Sequence, residues 1–148
     1  MDYKEATQRL YQVNQQLKRA YHGIDLTIMS RSEFHLLQPL VEQADKPLKA
    51  SELSQYLHVS NPAVSRTLKS LETKGWITRV DCTNDRRNSY VTLTEQGRQA
   101  FEVGRKVCDD ILLKALEQLD GDSIERYIEI SQQLAQALRV TTSTKEEK

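Results

Sequence analysis

Between Asn61 and Thr73 the chain spaces polar and cationic side chains so that they can share one side of a helix: Asn61, Ser65, Arg66, Lys69, Ser70 and Thr73, with the small Ala63 among them. Val64, Leu68 and Leu71 recur at i, i+4 and i+7 and face the other way. Such a row recognises a partner; it does not make or break bonds. A guanidinium such as that of Arg66 can donate two bonds to a guanine edge, and the methyl of Ala63 can meet a thymine methyl. The N-terminal half of a recognition helix reads bases, which puts Asn61, Ala63, Ser65 and Arg66 there. Lys69 and Thr73 lie further along and suit phosphates. A second basic group follows at Thr83-Asn84-Asp85-Arg86-Arg87, between two strand-like runs. One of Arg86 and Arg87 can enter a narrow minor groove, where the negative potential is strong, while Asp85 pairs with the other. A solvated helix face and a charged hairpin guarding a sheet edge would look similar one at a time. In succession they point to double-stranded DNA.

The surrounding elements must hold these side chains in place. Ala50 to Leu57 is a short helix with Leu53, Tyr56 and Leu57 expected inward, and His58-Val59-Ser60 is a turn. Asn61 can cap the next helix with Pro62 at its first position, where a missing N–H costs nothing. Gly75 ends that helix because it tolerates a left-handed backbone. Two strands follow, Trp76–Cys82 and Asn88–Leu93, giving the order helix, turn, helix, hairpin. Upstream, Leu10, Val13, Leu17, Ala20, Tyr21 and Ile24 mark an amphipathic helix from Lys4 to about Ile24. Ser30 and Glu33 form a capping box for a second helix, which Pro39 should kink. Downstream, Thr94 caps a long helix to about Gln118 with Phe101, Val107, Ile111, Leu112, Ala115 and Leu119 on one line. A last helix carries Ile124, Tyr127, Ile128, Leu134, Ala137 and Leu138, and the polar tail beyond Val140 is expected to be disordered.

Composition narrows the function. The 148 residues carry 21 basic and 21 acidic side chains, a net charge of +0, but the basic ones gather in the centre and the acidic ones after Asp109. No run approaches the roughly 18 apolar residues of a membrane span, and the N-terminus has no apolar leader, so a cytoplasmic protein without membrane contact is expected. Two cysteines, Cys82 and Cys108, are too few for a disulfide scaffold. His22, His35 and His58 are scattered, and no metal site is expected. With five glycines there is no phosphate loop or nucleophile elbow, so neither catalysis nor a cofactor is expected. The other reading is a winged helix that contacts proteins and does not bind specific DNA.

The run Leu53-x-x-x-Leu57-x-Val59-Ser60-x-x-Ala63-Val64-Ser65-Arg66, then Leu71, Gly75-Trp76-Ile77-x-Arg79, Asp85-Arg86-Arg87 and Val91-x-Leu93-Thr94-x-x-Gly97, resembles the multiple-antibiotic-resistance regulator (MarR) family. The resemblance runs from the first helix to about Leu138. It implies a mainly α fold with a small β-wing: a winged helix-turn-helix over residues 31–98, between a dimerisation helix (1–30) and C-terminal dimerisation helices (99–139), with a tail at 140–148. It also implies a homodimer whose first, fifth and sixth helices interleave. Such a dimer sets two recognition helices and two wings on a palindromic operator, with half-sites about 34–36 Å apart. Members of this kind mostly repress transcription and release DNA on binding a small aromatic or phenolic ligand or on cysteine oxidation. Tyr11, Tyr21, His22, Arg31 and His35 are the candidate ligand-pocket residues, Arg31 facing an anionic group. Thiol-sensing members place the reactive cysteine in the first helix, where this chain has none. Cys82, near Arg79, is the better thiol candidate.

Overall fold

The computed structural model describes residues 1–43, 46–82 and 85–143, with the side chains of residues 82 and 85–88 outside that description. The elements run α1 (Tyr3–His22), α2 (Arg31–Glu42), β1 (Leu48–Lys49), α3 (Ala50–Leu57), α4 (Asn61–Thr73), β2 (Ile77–Cys82), β3 (Asp85–Leu93), α5 (Glu95–Leu116) and α6 (Gly121–Ser143). This is the expected winged helix with flanking helices. The three strands form an antiparallel sheet in the order β1-β3-β2. At two residues, β1 is too short to show an alternation in sequence, and only its pairing of Leu48 with Val91 reveals it.

The chain divides into two compact units, Met1–Cys108 and Asp109–Lys148. The first holds the core. Leu36, Leu37 and Leu40 of α2 meet Leu53 of α3, Val64, Leu68 and Leu71 of α4, Ile77 and Val91 of the wing, and Ala100 and Phe101 of α5. Phe34 stacks on Phe101 with ring centres 4.9 Å apart, which fixes the start of α5 against α2. Helix α2 opens on the expected capping box: Ser30 Oγ accepts from Glu33 N, and Glu33 Oε2 accepts from Ser30 N. It runs through Pro39 to Glu42 as one helix. Tyr56 departs from expectation. It is 52% exposed, and its hydroxyl donates to Glu42 at 3.2 Å, so α3 turns only Leu53 fully inward and Leu57 partly.

The second unit contains the end of α5 and α6. Asp120 Oδ1 accepts from Ser123 N at 2.9 Å and caps α6. Hydrogen bonds from Ser123 hold the Asp120 carboxyl below its usual range. Helix α6 runs three residues past Val140, where a tail was expected. There Thr141, Thr142 and Ser143 turn their hydroxyls back onto the carbonyls of Ala137, Leu138 and Arg139, so the polar side chains are satisfied within the helix. The rest of the expected tail, residues 144–148, lies outside the described residues.

Candidate nucleic-acid interface

Helix α4 is fixed at both ends by local chemistry. His58 ends α3 in the left-handed region (φ 52°), and Ser54 Oγ donates to Val59 O at 2.7 Å, so the chain reverses in a tight turn. Ser60, not Asn61, caps α4: its Oγ accepts from Ala63 N, which moves Asn61 to the first and Pro62 to the second helical position. Serine satisfies the orphan amide as well as asparagine would. At the other end Gly75 takes φ +72°. Its carbonyl accepts from the Thr94 hydroxyl at 2.7 Å, and the same hydroxyl accepts from Gly97 N at 3.1 Å. Gly97 lies so close that a Cβ there would stand 2.0 Å from Trp76 O. The L-T-x-x-G run therefore joins the end of α4 to the start of α5.

With Val64, Leu68 and Leu71 buried, Asn61, Ser65, Arg66, Lys69 and Thr73 are left exposed on α4. Pro62, Arg66, Lys69 and Thr73 follow one line along the helix, and Thr73 Oγ1 donates to Lys69 O at 2.8 Å. Ala63 sits at the edge of that face, half-buried. Ser70 does not belong to the outward row. Its hydroxyl turns in and donates to Glu33 Oε1 at 2.6 Å. Lys74 Nζ lies 2.8 Å from Glu33 Oε2 and 4.6 Å above the centre of the Trp76 ring. Burial pushes the Glu33 carboxyl up, but donation from Lys74, Ser70 and the Ser30 amide, with the Lys74 charge, outweighs it and holds the carboxyl below its usual value. This cluster was not legible in the sequence, because Lys74 is 41 residues from Glu33 and the capping box already accounted for that carboxylate.

The wing begins at the end of α4. β2 and β3 pair from Ile77–Leu93 outward, with an irregularity between Asp81 and Cys82. Arg79 donates from Nε and Nη2 to Ser89 Oγ, at 3.2 and 3.1 Å, and Ser89 is buried. Asp85, Arg86 and Arg87 fall within β3, and their side chains lie outside the described residues, as do Thr83 and Asn84. The same holds for the Cys82 thiol. Cys108 is a free thiol, half-buried against the core.

Of the ligand-pocket candidates, His22, Arg31 and His35 lie close together between the end of α1 and the start of α2, and Tyr21, whose side chain is exposed, joins them through its backbone carbonyl. Arg31 Nη2 donates to Tyr21 O and to Ile24 O, while its Nε is buried without a partner among the described residues. Partial burial first, then the charges of Arg31 and His22, hold the His35 imidazole below its ordinary value. Tyr11, the fifth candidate, is exposed on α1 and does not join this group. His35 also lines a cleft of about 420 Å³ with Ser32 and Leu36 of α2, Tyr56 and Leu57 of α3, and Ala63, Val64 and Thr67 of α4. Among the described residues, no group of three or more His, Cys, Asp and Glu side chains is placed to hold a metal ion. Among the same residues, no helix is long and apolar enough to cross a membrane.

The chain is similar to known proteins. The sequence model of the MarR family matches residues 29–89. The chain is 31% identical over 104 residues to the uncharacterized HTH-type transcriptional regulator YdgJ of Bacillus subtilis (strain 168), across 70% of this chain and 62% of that protein. It is 31% identical over 106 residues to the uncharacterized HTH-type transcriptional regulator YpoP of the same strain, across 67% of this chain and 74% of that one. The chain thus spans less than two thirds of the first relative and about three quarters of the second. The fold is similar to that of a mutant MarR from E. coli complexed with operator DNA, with a TM-score of 0.65 at 24% identity over 86% of this chain and 91% of that one.

Proposed function

The chain belongs to the MarR family, and from that premise we propose that it is a sequence-specific DNA-binding transcriptional regulator acting as a homodimeric repressor on a palindromic operator. The observation that carries this reading is the exposed row on α4. Arg66 and Lys69 stand out from a helix held at both caps and packed on its opposite side. A rigid helix presenting donors in this way suits the major groove, with Asn61, Ser65 and Arg66 toward the bases and Lys69 and Thr73 toward phosphates. The Asp85-Arg86-Arg87 segment is assigned to the adjacent minor groove on its sequence and its place in β3.

Dimerisation is supported by what the chain leaves uncovered. Among the described residues, helices α1 and α6 have no buried residue, yet Leu10, Val13, Leu17 and Tyr21 form an apolar stripe on the first, and Tyr127, Ile128, Leu134 and Leu138 on the second. Stripes of this length call for a partner surface. Release by a small aromatic or phenolic ligand is supported by the cleft beside α4 and by Arg31, whose fixed charge beside His22 and His35 would favour an anionic substituent. Ligand and operator would then weaken each other by the same factor.

The test is selection from a random DNA library with the purified chain at near-physiological salt. An enriched palindrome with half-sites one turn apart is expected. Retained DNA without a common motif would mean an architectural binder. Retention of no DNA would favour a winged helix that contacts proteins.

A further inference from the structure

We propose that Glu33 is a positioning residue for the recognition helix: one buried carboxylate ties the start of α2 to the last turn of α4 and so sets the roll of the row that carries Arg66 and Lys69. The proposal rests on the DNA-binding reading above.

Glu33 is 4% exposed, and both of its oxygens are engaged. Oε2 accepts from Ser30 N at 2.9 Å and from Lys74 Nζ at 2.8 Å, and Oε1 accepts from Ser70 Oγ at 2.6 Å. Arg66, Ser70 and Lys74 follow each other at four-residue steps on neighbouring lines of one helix surface. The clamp therefore grips α4 one turn below the arginine assigned to base edges. The rest of what holds α4 is apolar. Val64, Leu68 and Leu71 hold the helix down, but apolar burial has no direction and leaves a small rotation about the helix axis inexpensive. Short charge-assisted bonds do have direction. Their far end is anchored too, because Leu36, Leu37 and Leu40 seat α2 in the core. Lys74 is further confined by lying over Trp76, 4.6 Å from the ring centre. Rotation by a few degrees would move the Arg66 guanidinium off a bidentate base contact while leaving phosphate contacts within reach.

The full-length chain, an operator selected by it and a scrambled duplex of equal length give the test. In Glu33→Gln, measured well below its melting temperature, operator affinity is expected to fall roughly tenfold, the loss of one charged hydrogen-bonded contact. Affinity for the scrambled duplex should not change. Ser70→Ala should move the ratio the same way by less. Trp76, the chain's only tryptophan, supplies a second readout. Acidification should release Lys74 and shift the emission of the wild-type protein, and the shift should vanish in Glu33→Gln. Operator and scrambled affinities falling together would make Glu33 merely structural and overturn the proposal. So would an unchanged ratio, and if Glu33→Gln does not fold, Ser70→Ala with an unchanged ratio decides in the same sense. A wild-type protein that selects no operator while its Trp76 emission still titrates would sink the DNA reading and this inference with it. An operator-selecting wild type with an unchanged ratio in the variants would sink this inference alone.

Discussion

Arg66 and Lys69 are three residues apart on α4 and both exposed, yet their loss should read out differently. On the proposed reading, Arg66→Ala removes the guanidinium assigned to base edges and is expected to cost about 1–3 kcal/mol of operator affinity, with relaxed preference at the matching base pair. Lys69→Ala should weaken binding across all sequences and lower the salt dependence by about one counterion. Affinity measured over a salt series, on the operator and on single-base variants of it, separates the two. Glu33 adds a pH effect on stability. Its carboxyl titrates lower folded than unfolded, so the folded state binds fewer protons. The stability this confers is complete above the unfolded value of about 4.3 and is lost as pH falls through the folded one. Urea unfolding from about pH 7 to about pH 3 should show wild type losing its advantage over Glu33→Gln in that acid range.

At the scale of elements, the joint between α4, the wing and α5 is the least forgiving. A methyl at Gly97 would meet the Trp76 carbonyl, which is backbone and cannot step aside. Gly97→Ala should destabilise by about 1–3 kcal/mol in thermal unfolding. Gly121→Ala is the contrasting case. Its Cβ would meet nothing within 4 Å at the start of α6, and about 0.4–1 kcal/mol of stabilisation is expected. Elements written in local chemistry were legible from sequence: the Ser30–Glu33 box, the Gly75 terminator, the Thr94 cap and the Val64–Leu68–Leu71 stripe. What sequence did not convey depends on neighbours distant in the chain. Periodicity assigns Tyr56 and Ser70 to a helix side, but an edge residue faces in or out according to its partner, Glu42 for one and Glu33 for the other. The outward row on α4 was legible apart from Ser70, since the exposure of Arg66 and Lys69 follows from the buried stripe opposite.

For the whole molecule, α5 carries one apolar line with two fates. Phe101 is buried in the core and Cys108 packs against it, whereas Ile111 and Leu112, further along the same line, are exposed. Together with the open stripes of α1 and α6, the proposed dimer predicts that Leu134→Asp yields a monomer in analytical ultracentrifugation and that operator binding collapses, while a folded winged helix persists by circular dichroism. A consequence concerns abundance in the cell. Chains that complete their apolar surfaces only in pairs become more stable as they accumulate, by mass action. Occupancy of a two-half-site operator then rises more steeply than gene dosage, because doubling a scarce protein more than doubles its pairs. The uncovered end of one helix would in this way give the regulator a threshold without a second ligand.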